Sequence, residues 1–274
     1  MTVASIKLND GNFIPQLGFG VWRLSDEEAV TSVSTALETG YCHIDTAAIY
    51  KNEQGVGRAI RNSGIARKDI FLTTKVWNDD QGYDATLKAF EASSDRLGTD
   101  YFDLYLIHWP MPNKDLFSDT WRALIRLREE GRVKSIGVSN FRTADLRRLQ
   151  KETDIIPAVN QIELHPYFQQ DELRQYHQQH NIATEAWSPL GQGKILDNPV
   201  LTTIAAKHNK SVAQIILRWH LDIGNIIIPK SVTPQRIREN FAVTDFKLSG
   251  TEHDAINKLD AVEGRIGPDP TTFG

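Results

Sequence analysis

From Leu17 almost to the end of the chain, short apolar segments alternate with longer segments whose apolar residues recur at helical spacing. This is the pattern of βα units, because parallel strands need long crossover connections and those are usually helices. A sandwich or a helical bundle would not produce it. Leu17-Gly18-Phe19, Cys42-His43-Ile44, Ile70-Phe71-Leu72-Thr73-Thr74, Leu104-Tyr105-Leu106-Ile107, Ile136-Gly137-Val138, Ala158-Val159-Asn160-Gln161-Ile162, Ala183-Thr184-Glu185-Ala186 and Ile226-Ile227-Ile228 read as strands. About eight strands in this arrangement predict an α/β fold, a (β/α)8 TIM barrel. Ser25 with Glu28 predicts a capping box on the first helix, with Ala29, Val33, Ala36 and Leu37 on its apolar face and Gly40 as its stop. Asp197 to His208 predicts an inserted extra helix, and Ser249 with Glu252 caps the last one. Ahead of the barrel, Ile6-Lys7-Leu8 and Phe13-Ile14 flank the turn-forming Asn9-Asp10-Gly11-Asn12, an expected N-terminal β-hairpin.

At 274 residues one domain, 1–274, is the expected organisation. The net charge of -4 gives no basic field for nucleic acid, so a small molecule is the expected partner. No leader-like segment and no apolar run of about 18 residues is present, so no membrane partner is expected. Cys42 is the single cysteine, which fits a reducing, cytoplasmic setting and excludes an internal disulfide.

Four polar residues stand out against this scaffold. Asp45, Lys75 and His108 each lie at or just past the C-terminal end of a strand segment, and Tyr50 follows one short loop after Asp45. In a parallel barrel those ends converge on one face, so the four can meet although they are distant in sequence. A phenol with a pKa near 10 is a weak acid, and an adjacent Lys75 ammonium is expected to lower that value. Asp45 would hold Lys75 charged, and His108 would hydrogen-bond a substrate carbonyl oxygen. Such a set protonates an oxygen while hydride arrives from elsewhere. Trp22, Trp77 and Trp109 fall just beyond strand ends and, with His108, are the expected substrate walls, whereas Trp121 and Trp219 lie on helical faces and read as core. Gly18 and Gly20 do not make a dinucleotide fingerprint, since Arg23 stands where the third glycine belongs; they read as a tight turn or a close backbone approach. No HxH or HExxH spacing appears, and no metal site is expected.

Four segments resemble the signature regions of the aldo-keto reductases: Gly40-Tyr41-Cys42-His43-Ile44-Asp45-Thr46-Ala47-Ala48-Ile49-Tyr50, Ile107-His108-Trp109-Pro110, Gly137-Val138-Ser139-Asn140-Phe141 and Ile228-Pro229-Lys230-Ser231. Within that family, Leu8-Asn9-Asp10-Gly11, Asn160-Gln161-Ile162-Glu163-Leu164-His165-Pro166 and Trp187-Ser188-Pro189-Leu190-Gly191-Gln192-Gly193 are most similar to bacterial 2,5-diketo-gluconate reductases. The resemblance implies a barrel oxidoreductase that reduces carbonyls with NADPH, with Tyr50 as general acid and Asp45, Lys75 and His108 as the other catalytic residues. It further implies that Ser139, Asn140 and Gln161 hold the nicotinamide carboxamide and that Trp187 stacks on the ring. Ser188, Leu190, Gly191 and Gln192 would line the cofactor, as would Lys230, Ser231, Val232 and Thr233. Arg236 would meet the 2′-phosphate, and Glu239 and Asn240 the adenine. The basic, hydroxyl-rich stretch from Lys230 to Arg236, at the start of a helix from Pro234 to Asn240, suits a phosphate and favours NADPH over NADH. By the resemblance, members that act on bulky substrates build more pocket from the loop at Met111 to Phe117 and the tail after Asp260, both short here, which implies a small polar ketone or aldehyde, a diketo-gluconate or similar sugar-derived carbonyl; a monomer is the expected state.

Three other readings compete. Lys75 could form a Schiff base in an aldolase-type barrel, although a paired Asp45 would keep it protonated. His43, Asp45, His108 and His165 could serve a metal hydrolase. The barrel could instead be a non-catalytic NADPH-sensing module.

Overall fold

The computed structural model describes residues 3–261 and 263–273. An antiparallel hairpin, β1 (Ser5–Lys7) and β2 (Phe13–Pro15), precedes a barrel of eight parallel strands. The order is β3 (Phe19–Gly20), α1 (Asp26–Thr39), β4 (His43–Asp45), α2 (Glu53–Asn62), β5 (Phe71–Val76), α3 (Tyr83–Leu97), β6 (Phe102–Ile107), α4 (Phe117–Glu129) and β7 (Val133–Ser139). It continues with α5 (Thr143–Thr153), β8 (Val159–Glu163), α6 (Asp171–Gln179), β9 (Ala183–Trp187), α7 (Pro199–His208), α8 (Val212–Asp222), β10 (Ile226–Ile227), α9 (Pro234–Phe241) and α10 (Gly250–Asn257). Strands β3 to β10 pair in sequence order, and a parallel bridge from Leu17 to Ile227 closes the ring.

The local signals act as expected. Ser25 and Glu28 form both halves of a capping box on α1, and Gly40 ends it in the left-handed region at φ 116°. Ser249 and Glu252 do the same for α10, and the inserted helix forms as α7 with Asn198 as its cap. The first barrel strand is Phe19–Gly20 rather than Leu17 to Phe19, because Leu17 makes only the closing bridge, while the Gly18 amide donates to the Ile227 carbonyl at 2.8 Å. Lys75 is the penultimate residue of β5, which runs on to Val76.

Two apolar clusters fill the molecule. The larger lies between strands and helices and includes Trp121 and Trp219, both fully buried as core. The smaller occupies the N-terminal end of the barrel interior, where Leu104, Leu106, Val159 and Ile226 meet Leu8 and Ile14 of the hairpin region. The hairpin therefore plugs the barrel floor, a packed core rather than a pore. Above this floor the interior turns polar: His43, Asp45, Thr73, Lys75, Gln161 and Glu185 are all buried.

Gly18 belongs to this packing. A Cβ there would stand 2.5 Å from Nδ1 of His43, and one on Gly20 would stand 2.8 Å from the Ile228 carbonyl oxygen, so both glycines serve close approach. Gly18→Ala should destabilise the fold by about 1–3 kcal/mol through overpacking against the buried imidazole. A urea midpoint equal to that of the parent protein would contradict this.

Candidate active site

The four sequence-selected polar residues meet at the C-terminal end of the barrel. Asp45 ends β4, Lys75 lies near the end of β5, His108 follows β6, and Tyr50 sits in a short 3-10 turn, Ala48–Tyr50, after β4. Lys75 Nζ donates to Asp45 Oδ1 at 2.6 Å and to the Thr46 carbonyl at 2.8 Å. Two of its three N–H groups are thereby fixed, and Nζ lies 5.2 Å from the Tyr50 ring centroid. The Tyr50 and His108 ring centroids are 5.7 Å apart, and Trp77 packs edge-on against His108 at 5.2 Å.

The electrostatics correct one expectation. Burial pushes the Tyr50 phenol above its ordinary value, and the Lys75 ammonium pulls it down without cancelling that effect. The sequence reading counted the neighbouring charge and not the desolvation. Burial works to lower Lys75, but Asp45, Tyr50 and Glu185 together outweigh it, so the ammonium is held above its usual range. Burial raises Asp45, against the pull of Lys75 and the Gln161 amide. The contacts of Lys75 with an anion and a carbonyl at 2.6 and 2.8 Å favour only its charged form. Burial, helped by Lys75, pushes His108 well below the usual imidazole range, so it is neutral near pH 7, and its Nδ1 is buried without a partner among the described residues.

A second network adjoins the first. Trp187 Nε1 donates to Asn140 Oδ1 at 2.8 Å, and Asn140 Nδ2 donates to the His108 carbonyl and to Ser139 Oγ, both at 3.0 Å. Ser139 Oγ donates to the Gln161 carbonyl at 2.8 Å. Asn140 takes φ 63°, which Asn tolerates better than most residues. Ser139, Asn140, Gln161 and Trp187 are thus brought together, and the indole plane is locked. Gln161 Nε2 spends both protons inside the barrel, on Asp45 Oδ2 at 2.9 Å and Glu185 Oε2 at 3.0 Å. Its amide oxygen alone is left for any ligand.

Ser188, Leu190, Gly191 and Gln192 form the loop after β9, on the same face, with Gln192 exposed. Lys230, Val232, Thr233 and Arg236 are exposed after β10, and Ser231 is buried with its hydroxyl accepting from the Thr233 amide. Thr233 precedes α9 without a side-chain cap, so the first-turn amides of that helix are not bonded to it. Arg236 makes no hydrogen bond or ion pair among the described residues. Glu239 accepts from Gln235, and Asn240 is buried. An uncapped helix start beside exposed Lys230 and Arg236 fits a phosphate, and the locked indole at the other end of the face fits a flat ring. The residues present therefore fit a nicotinamide dinucleotide.

Trp77 and Trp109 lie around His108, and Trp22 is exposed with the Arg23 guanidinium 4.1 Å from its ring centroid. One wall was not foreseen. Glu163, at the end of β8, accepts from the amides of Ile266 at 2.5 Å and Gly267 at 2.8 Å, drawing the tail across the barrel mouth. A Cβ on Gly267 would stand 2.4 Å from the Trp187 ring, and Phe273 packs on Trp109 with centroids 4.4 Å apart. A glycine and an aromatic in a short tail were the only sequence signals. Glu185 was likewise read as a strand residue alone. His43 and His165 are bonded elsewhere, to Pro15 and Thr73 and to Glu163, and no group of three or more His, Cys, Asp or Glu among the described residues is arranged to hold a metal.

An eight-stranded barrel with a connected, buried polar network at its C-terminal mouth has the build of an α/β-barrel enzyme. The family model described as "Aldo/keto reductase family" matches residues 16–261. The chain is 71% identical to a crystallised aldo/keto reductase from Brucella melitensis, with TM-score 0.92 over 94% of this chain and 100% of that one. It is 55% identical over 271 residues to a methylglyoxal reductase of Yersinia pestis, covering 98% and 97% of the two chains. It is 47% identical to a variant of Gox0644 solved in complex with NADPH, with TM-score 0.97 and both chains fully covered. The chain belongs to the aldo/keto reductase family, and is an oxidoreductase. No helix among the described residues is long and apolar enough to cross a membrane.

Removing one member of the buried Asp45–Lys75 pair strands the other. Lys75→Met should cost about 3–5 kcal/mol, and adding Asp45→Asn to it should restore part of that loss. Additive losses in urea unfolding would contradict the coupling.

Proposed function

We propose that the chain reduces a small polar ketone or aldehyde to the alcohol with NADPH, Tyr50 acting as general acid. The observation that carries this is the Lys75 ammonium, pinned between Asp45 and Thr46 at 2.6 and 2.8 Å with the Tyr50 ring on its remaining side. NADPH supplies the hydride when bound. Ser139, Asn140, Gln161 and Trp187 would hold its nicotinamide end, and Lys230, Ser231, Thr233 and Arg236 its phosphates.

The neutral His108 imidazole can carry one N–H toward a carbonyl oxygen, which orients the substrate and withdraws charge from its carbon. Tyr50 gives its phenolic proton to the same oxygen as the alkoxide develops. A phenol held above its ordinary value stays protonated at neutral pH, and the fixed Lys75 charge stabilises the phenolate left behind. The raised value thus loads the donor, and Lys75 acts as the proton leaves. The same charge state disfavours a Schiff-base role for Lys75, because a protonated amine is not nucleophilic.

Trp22, Trp77 and Trp109 would bound a small pocket, narrowed by Phe273. This supports a diketo-gluconate or a similar short dicarbonyl over a bulky substrate, and the name of the Yersinia pestis relative supports a 2-oxoaldehyde as a first compound to assay. We take the chain to work as a single-domain monomer in the cytoplasm, the last supported by its lone cysteine, which suits a reducing compartment.

Following NADPH absorbance while offering methylglyoxal and diketo-gluconate tests the reading: Tyr50→Phe should bind NADPH as the parent does and lose at least about 100-fold in kcat. Retained turnover would overturn the role of Tyr50. Arg236→Ala should weaken NADPH at least about tenfold more than NADH, through loss of a charge-assisted phosphate contact. Equal losses for the two cofactors would remove Arg236 from the 2′-phosphate site.

A further inference from the structure

Glu185 is fully buried in the polar layer of the barrel interior, in register with Gln161 on the adjacent strand. Its Oε2 accepts one proton of the Gln161 amide, whose other proton goes to Asp45 Oδ2. Its Oε1 has no hydrogen-bond partner among the described residues and lies 3.7 Å from Nε2 of His43. The state of that imidazole is fixed by its neighbours. Nδ1 faces the Pro15 carbonyl at 3.3 Å, which can only accept, so Nδ1 carries the ring proton. Nε2 then carries the lone pair, which receives the Thr73 hydroxyl at 3.1 Å. Burial holds His43 down at about 3, so no second proton is available. An ionised Oε1 would be a bare anion facing a lone pair, with Asp45 as the next charge. A protonated Oε1 would face that lone pair with an O–H.

We propose that Glu185 is a positioning residue of this active site: a buried carboxylic acid that carries its own proton and, through the Gln161 amide, holds Asp45 against Lys75 beneath Tyr50. The relay runs from Glu185 to Gln161, Asp45, Lys75 and Tyr50, with each of the first three links a hydrogen bond of 3.0 Å or less. Burial, with Asp45 as the next cause, lifts the Glu185 carboxyl from 4.5 to about 8, in keeping with that neutral form. The groups facing it are His43 and Asp45 from β4, Lys75 from β5, Gln161 from β8, and Tyr50 from the loop after β4, while its register partner on β10 is the apolar Ile226. Among the described residues Lys75 is the cation that serves this cluster. Ionising Glu185 adds a second anion opposite Asp45 and makes the Tyr50 proton harder to release, since a charge on Glu185 raises the phenol.

The folded value lies above the ordinary 4.5, so the stability due to Glu185 is full below that value and is lost as pH rises through about 8. The melting temperature should decline across that window, and Glu185→Gln, the isostere of the neutral acid, should flatten the decline.

The inference rests on the carbonyl-reductase reading, and its test separates the two. In the full chain with 13C-labelled glutamate carboxyls, the resonance lost in Glu185→Gln should titrate near pH 8; titration in the ordinary carboxylate range would overturn the proposal whatever the enzyme does. In NADPH oxidation with methylglyoxal, Glu185→Leu should lower kcat about tenfold or more with a smaller change in KM, and Glu185→Gln should recover most of that loss. The alkaline limb of kcat in Glu185→Gln should lie about one pH unit or more above that of the parent. Superimposed pH profiles, or equal impairment of the two variants, would overturn it. If Glu185→Leu does not fold, the parent and Glu185→Gln profiles decide. A parent protein that reduces no carbonyl would sink the functional reading, and the glutamate titration would still report on Glu185.

Discussion

The buried Asp45–Lys75 pair is the constraint on which the rest of this active site depends. An ammonium taken out of water is costly unless hydrogen-bonded acceptors surround it, and here a carboxylate and a main-chain carbonyl supply them within 2.8 Å. Such a pair adds little net stability over an apolar isostere. Its value lies in geometry: a fixed positive charge at the mouth of the barrel, beside a phenol. A barrel can house it because the interior is divided along its axis, with Leu104, Leu106, Val159 and Ile226 closed off by the hairpin below and the polar layer above.

That polar layer is connected rather than merely buried. Asp45 binds Lys75 through one oxygen and Gln161 through the other, and Gln161 reaches Glu185. The Gln161 main chain in turn accepts from Ser139 and Asn140, which the Trp187 indole joins. The residues that would hold the nicotinamide and those that would move the proton thus share one hydrogen-bonded framework. Networks of this kind are rigid when every member is satisfied. Of the buried side-chain atoms without a hydrogen-bond partner among the described residues, His108 Nδ1 and Glu185 Oε1 lie in or beside it.

Much of this was legible in the sequence because βα order alone sends strand ends to one face, so Asp45, Lys75 and His108 could be grouped without knowing any distance. Capping residues such as Ser25 with Glu28 and Ser249 with Glu252 act through contacts three residues apart, which a sequence states directly. What escaped is long-range. The Glu163 clamp on Ile266 and Gly267 spans about a hundred residues, and Phe273 reaches Trp109 from the far end of the chain. The direction for Tyr50 was missed for a related reason: its neighbour's charge was visible in the pattern, but the depth of burial exists only once helices and loops have packed around it. Glu185 was hidden because a lone acid in a strand says nothing about which side chains surround it.

The most direct test of the central claim is the ionisation of Tyr50 itself, read as the 13Cζ resonance of labelled tyrosine in folded protein with Lys75 intact and replaced by Met. If the buried ammonium is what makes Tyr50 a usable acid, the phenol titrates at higher pH in Lys75→Met than in the parent. A Tyr50 titration that stays in place or falls would show that Lys75 does not act on the phenol, and the proton-transfer account of this site would fail.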